Sequence, residues 1–229
     1  MLQDKTALIL DMNSTFMFGE DRFGDDEDFS IRYAELGGTL GRSEVQRILR
    51  AAYRYLDERY PDPKYREDFP TVREALTATL PDPLPTLEID RIASTFAFHE
   101  LGNIPPAYAR ALQALQSRYT LGAVVDIWAP KDLWLEAFEG AGIADLFSTC
   151  QFSSDHRIVK PSPLLFQRAL QEMGVKASET LMIGDSPRRD LGGARAAGID
   201  CVLVGGATHP DAVASFDTLL DIAEAVGRA

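Results

Sequence analysis

The chain has 229 residues, 45% of them hydrophobic and 25% charged, with a formal net charge of −12 at pH 7. That composition allows a sizeable core in one or two domains, and its acidity argues against nucleic acid or an anionic membrane surface as a partner. No apolar run reaches the roughly 18–20 residues of a membrane span, and the N-terminal segment Met1–Lys5 lacks the regions of a signal peptide, which points to a cytoplasmic protein.

The first element is a short apolar run, Ala7-Leu8-Ile9-Leu10, ending abruptly on Asp11 and passing into Met12-Asn13-Ser14-Thr15. A buried parallel strand that delivers one acidic side chain to a cleft reads this way, and so does an Asp capping any turn. The glycine-punctuated run Gly19–Asp28 reads as a solvated acidic loop. Ser43-Glu44-Val45-Gln46 fits a capping box opening a helix, and Val45, Ile48, Leu49, Ala52, Tyr53 and Leu56 keep helical spacing until Pro61-Asp62-Pro63. Two further helices are predicted at about Val72–Leu80 and Ile89–Leu101.

From Pro105 onward, strands and helices alternate. Strands are predicted at Leu121–Asp126, Thr149–Phe152, Thr180–Ile183 and Cys201–Val204. Helices are predicted at Tyr108–Arg118, Lys131–Ala141, Pro163–Met173, Asp190–Ala197 and Phe216–Val226. This alternation predicts an α/β fold with a doubly wound parallel sheet. The expected core comprises residues 1–15 and 105–229, and residues 16–104 form an inserted all-helical subdomain. Cys150 and Cys201 lie in apolar strand-like stretches without CxxC spacing, as buried packing thiols do in a reducing compartment.

In such a sheet, ligands bind beyond the carboxyl ends of the strands. Four residues there carry chemistry: Asp11, Asp126, Lys160 and Asp185. Asp11 and Asp185 supply the hard oxygen ligands that Mg²⁺ prefers, and a lysine offsets charge on phosphate and nucleophile together. A carboxylate so placed can attack phosphorus and form an aspartyl-phosphate. An acidic chain handling phosphate must neutralise it locally, with a metal ion or a well-placed cation.

With these motifs the sequence resembles the haloacid dehalogenase (HAD) superfamily, which is mostly phosphatases. The resemblance rests on Leu10–Thr15 as first motif, Val159-Lys160-Pro161 as third and Gly184–Asp190 as fourth, with a helical insert after the first that looks like the family's mobile cap. It implies a Rossmannoid fold, Mg²⁺ as cofactor and a small phosphorylated substrate. It also implies Asp11 as nucleophile and metal ligand, the Asn13 carbonyl and Asp185 as further ligands, Lys160 bridging nucleophile and phosphate, and Asp190 in support.

Two positions depart from that pattern. Family phosphatases carry a second Asp two residues after the nucleophile as general acid and base; here it is Asn13, which cannot carry a proton between oxygens. The second motif ends in a Ser or Thr that binds phosphate; here one register puts Val125 at that position and the other puts Asp126, so neither supplies a hydroxyl. Three readings remain open: a Mg²⁺-dependent phosphatase favouring good leaving groups, a 2-haloacid dehalogenase-type hydrolase, and a catalytically weak fold that binds phosphate or a partner. Phe16, Phe18 and Trp128 are candidates for lining the substrate pocket.

Overall fold

A computed structural model describes residues 4–227; the first three residues of the Met1–Lys5 segment lie outside them. Strand β1 (Ala7–Leu10) is buried along its whole length because it occupies the middle of a sheet, with a parallel neighbour on each side. Burying a side chain of the size of Leu8, Ile9 or Leu10 stabilises the fold by roughly 1.5–3 kcal/mol.

After β1 the chain makes four helices that add no strand to the sheet: α1 (Phe29–Glu35), α2 (Arg42–Asp57), α3 (Val72–Thr79) and α4 (Thr86–Glu100). It leaves and returns side by side. Phe18 N–H donates to the Asn103 carbonyl (2.9 Å) and Asn103 N–H donates back to Phe18 (2.8 Å), an isolated antiparallel bridge at the neck of the insert. The predicted stripe of α2 faces inward, with Val45, Ile48, Leu49, Ala52 and Leu56 buried.

The capping box expected at Ser43 does not form. Helix α2 starts at Arg42 behind Gly41 with no side-chain cap, and the Gln46 amide donates to the Glu27 carbonyl instead (2.8 Å). A capping box forms at Thr71 and Glu74, where it opens α3. The acidic run before residue 29 is less idle than its composition implies, because Asp28 caps α1 through the Ser30 N–H.

The remainder alternates as expected: α5 (Pro106–Gln116), β2 (Thr120–Val125), α6 (Asp132–Gly140), β3 (Phe147–Phe152), a short α7 (Ser153–His156), α8 (Leu164–Met173), β4 (Thr180–Gly184), α9 (Gly192–Ala196), β5 (Asp200–Leu203), β6 (Ala214–Ser215) and α10 (Leu219–Gly227). The strands are ordered β3-β2-β1-β4-β5-β6, and every pairing is parallel. The chain builds one half of the sheet, returns past β1 and builds the other. The strand order therefore reverses between β1 and β4, where α/β sheets open a crevice at their carboxyl ends.

The insert lies over that edge. Phe69 N–H donates to the Arg157 carbonyl (2.8 Å) and Val159 N–H to the Arg66 carbonyl (2.9 Å). The Arg157 guanidinium completes the seam with Asp68 (2.8 Å) and Glu74 (2.7 Å). Cys201 is buried and Cys150 partly so, both as free thiols.

Candidate active site

Asp11 is the first residue beyond β1, and its N–H still donates to the Ile183 carbonyl of β4 (2.9 Å), so the ladder itself fixes where its side chain begins. The chain then turns tightly: the N–H groups of Thr15, Phe16 and Met17 converge on the Met12 carbonyl, with Ser14 at φ 56. Asp185 occupies the matching place after β4. Between them lies Lys160, only 2% exposed, whose Nζ donates to Asp11 Oδ1 (2.5 Å) and Asp190 Oδ1 (2.7 Å). Asp190, fully buried, accepts the Ser186 N–H on its other oxygen (2.9 Å). Gly184 makes this possible, because a Cβ there would lie 2.4 Å from Asp190 Oδ2.

Carboxylate oxygens of Asp11, Asp185 and Asp190 lie within 4.8 Å of one another. Asp190 is already engaged by Lys160 and Ser186. Asp185 Oδ1 is buried and has no hydrogen-bond partner, and the same is true of Asn13 Oδ1. A buried, orphaned carboxylate oxygen beside a second carboxylate suits a divalent cation. Burial, with repulsion from Asp190, pushes Asp11 up to about 8 against the pull of Lys160; Asp185 is raised for the same two reasons. Desolvation disfavours the charge on Lys160, but Asp11, Asp190 and Asp126 outweigh it and hold the ammonium protonated.

These residues open onto a cavity of about 190 Å³. Its wall holds Asp11, Asn13, Asp126, Lys160 and Asp185, together with Ser14, Glu20, Asp21, Tyr60, Glu100, Trp128 and Arg189. Among the expected site residues, Val125 is not brought there. Side chains alternate along a strand, and that of Val125 is fully buried in the core.

Asp126 does reach the wall, but its carboxylate is spoken for. It accepts the Lys160 backbone N–H (3.0 and 3.2 Å) and the Tyr60 hydroxyl (2.5 Å). Burial raises its pKa, and burial next to Asp126 raises that of Tyr60 far more, so the phenol keeps its proton and donates. Phe16 is also absent from the cavity, lying in the core against Phe138 and Phe147, while Phe18 packs on Tyr108. Trp128 is the expected aromatic that lines it.

Residues 158–225 match the family described as HAD-hydrolase-like. Phosphoserine phosphatase from Thermus thermophilus is 42% identical over 80 residues, 35% of this chain and 32% of that protein. Glyceraldehyde 3-phosphate phosphatase from Methanopyrus kandleri is 30% identical over 128 residues, 54% of this chain and 53% of that protein. The chain thus spans about half the length, or less, of these curated relatives. In fold it is similar to a 2-haloacid dehalogenase from Pseudomonas syringae pv. tomato, with TM-score 0.68 and 23% identity over 98% of this chain and 99% of that one. A HAD phosphatase from Thermococcus onnurineus gives TM-score 0.62 and 21% identity over 97% and 98%. The matched segment is thus similar in sequence to HAD-like hydrolases, and the chain as a whole has the fold of the HAD dehalogenase and phosphatase structures.

Within this site, Glu20, Asp21, Tyr60, Glu100 and Arg189 are wall residues that the sequence alone did not single out. Glu100, at the end of α4, reaches across to the loop after β2 and accepts the N–H groups of Trp128 (2.5 Å) and Ala129 (2.9 Å). Burial and the nearby Asp21 push Glu100 up to about 8, against those two hydrogen bonds. Asp21, although exposed to solvent, is raised by partial desolvation and by repulsion from Glu20. Arg189 belongs to the fourth motif already singled out, and the signal for it was a cation within that motif. Tyr60 and Glu100 belong to no motif and reach the wall only through tertiary folding.

Proposed function

We propose that this chain is a Mg²⁺-dependent phosphohydrolase acting on a small phosphorylated molecule, with Asp11 as nucleophile. The observation that carries this reading is the Asp11–Lys160–Asp190 chain beside the orphaned Asp185 oxygen, at the sheet's switch point. Asp11 and Asp185 are the residues that would hold the ion, with the Asn13 carbonyl as the third protein ligand. Bound there, Mg²⁺ supplies charge neutralisation and polarisation of the phosphoryl oxygens.

The chain's own residues do the rest. Lys160 holds Asp11 in one orientation and pulls it towards the ionised form against burial and Asp190, and a bound cation would add to that pull. An Asp11 oxygen forms a bond to phosphorus as the ester oxygen departs with its bonding electrons. Water then attacks the aspartyl-phosphate, restoring the Asp11 carboxylate and releasing inorganic phosphate. Asn13 cannot donate a proton to the departing oxygen, so esters whose leaving group is stable as an anion are favoured. The insert acts as a cap, with Glu20, Asp21, Tyr60 and Glu100 as its contributions to the cavity wall.

The test is phosphate release from an aryl and an alkyl phosphate with Mg²⁺. Aryl turnover should exceed alkyl turnover by about 10²–10⁴, the usual worth of general acid–base assistance. Asn13→Asp should narrow that gap, and Asp11→Asn should abolish both activities. Retained turnover in Asp11→Asn, or chloride release from a 2-haloacid without metal in place of phosphatase activity, would replace this reading.

A further inference from the structure

The phosphate-binding hydroxyl is missing from the end of β2: Val125 points into the core and Asp126 is committed to Lys160 N–H and Tyr60. Cationic donors are also scarce. Of the three N–H groups on Lys160 Nζ, two are used by Asp11 and Asp190. The other cation on the wall is Arg189, which is half-buried, and its guanidinium makes no hydrogen bond or ion pair with any described residue. The guanidinium sits over the Tyr60 ring, 5.7 Å from its centroid. A planar guanidinium presents five donors in a fork that matches two oxygens of a phosphate. Its backbone is fixed as well, since Arg189 N–H donates to Ser186 Oγ (3.2 Å) in the π-helical turn Pro187–Leu191.

We infer that Arg189 is the phosphate anchor of this site, replacing the hydroxyl absent at the end of β2, and that Tyr60 is the positioning residue that holds it. This rests on the phosphohydrolase reading above. Asp126 then has a structural role rather than a repulsive one. Its carboxylate pins the Tyr60 hydroxyl, and the Tyr60 ring carries Arg189. A residue of the insert thereby sets the aim of a residue of the core.

The test is calorimetric binding of inorganic phosphate to the full chain with Mg²⁺, alongside steady-state kinetics on an aryl phosphate. Arg189→Met should weaken phosphate binding by about 10- to 100-fold, as expected when charge-assisted hydrogen bonds are lost. Arg189→Lys, which keeps the charge but loses the fork, should fall between. Tyr60→Phe should weaken phosphate binding by a few-fold and raise KM more than it lowers kcat; a merely structural Tyr60 would alter folding stability and leave KM unchanged. Phosphate affinity unchanged in Arg189→Met overturns the inference, as does a raised KM with unchanged phosphate affinity, which would place Arg189 on the leaving group. A wild-type chain that binds phosphate through Arg189 but turns over no ester leaves the anchor standing and removes the phosphohydrolase reading. One that binds no phosphate overturns the anchor.

Discussion

Lys160 is enclosed between Asp11 and Asp190, and all three are buried. Removing the cation would leave two carboxylates facing each other out of water. Lys160→Met is therefore expected to lose about 3–5 kcal/mol of folding stability near pH 8, the usual cost of breaking a buried pair, as measured by urea unfolding. The loss should shrink as the pH falls below about 8, where Asp11 takes up a proton. Glu100 offers a second measurement at this scale. Its pKa lies near 8 in the folded chain and at 4.5 unperturbed, so between those values the folded state binds more protons than the unfolded one. Stability must then fall as pH rises through that window, by at most about 1.4 kcal/mol per pH unit for this group. Glu100→Gln should flatten the pH dependence of the unfolding midpoint between about pH 5 and 8; an unchanged slope would show that Glu100 is ionised throughout.

The seam between insert and core is made of two backbone hydrogen bonds and the ion pairs of Arg157. Exposed ion pairs contribute little to global stability, about 0.2–1 kcal/mol each. Arg157→Ala should therefore leave the urea midpoint nearly unchanged while speeding hydrogen exchange at the Phe69 and Val159 amides, a local opening. Slow exchange there in the variant would show that the backbone pairing holds the seam alone. The elements most legible in the sequence were those with a long period: the stripe of α2, the apolar runs of β1 and β4, and the alternation beyond Pro105. Helix α7, four residues long, and β6, two residues long, offer no window for periodicity. Helix α1 was hidden because the acid that caps it, Asp28, lies within an acidic run that reads as loop. At the site, Asp11, Lys160 and Asp185 were legible because each follows an apolar run or sits in a rigid motif. Tyr60 and Glu100 were not, since only folding brings them across to Asp126 and the loop after β2.

On the scale of the molecule, the net charge of −12 and the six carboxylates of the cavity wall, against two cations, set the approach of an anionic substrate. A phosphate must cross a repulsive field before it meets Lys160 and Arg189. Raising NaCl from about 20 to about 200 mM shortens the screening length and should raise kcat/KM for a dianionic ester, by roughly two- to threefold. A fall instead would mean that the two cations dominate the field at the mouth. The same wall disfavours substrates bearing a second anionic group away from the phosphate.

The paired backbone of Phe18 and Asn103 has a consequence for how such chains diversify. Because the two ends of the helical segment are already held together, the sheet experiences everything between them as one closed loop. Doubling the length of a loop costs only about 0.6 kcal/mol in closure entropy. Segments of very different size and shape can therefore be exchanged at this neck without disturbing β1 or the residues at its end. Specificity and chemistry are in this way separately heritable, joined at the neck by two hydrogen bonds.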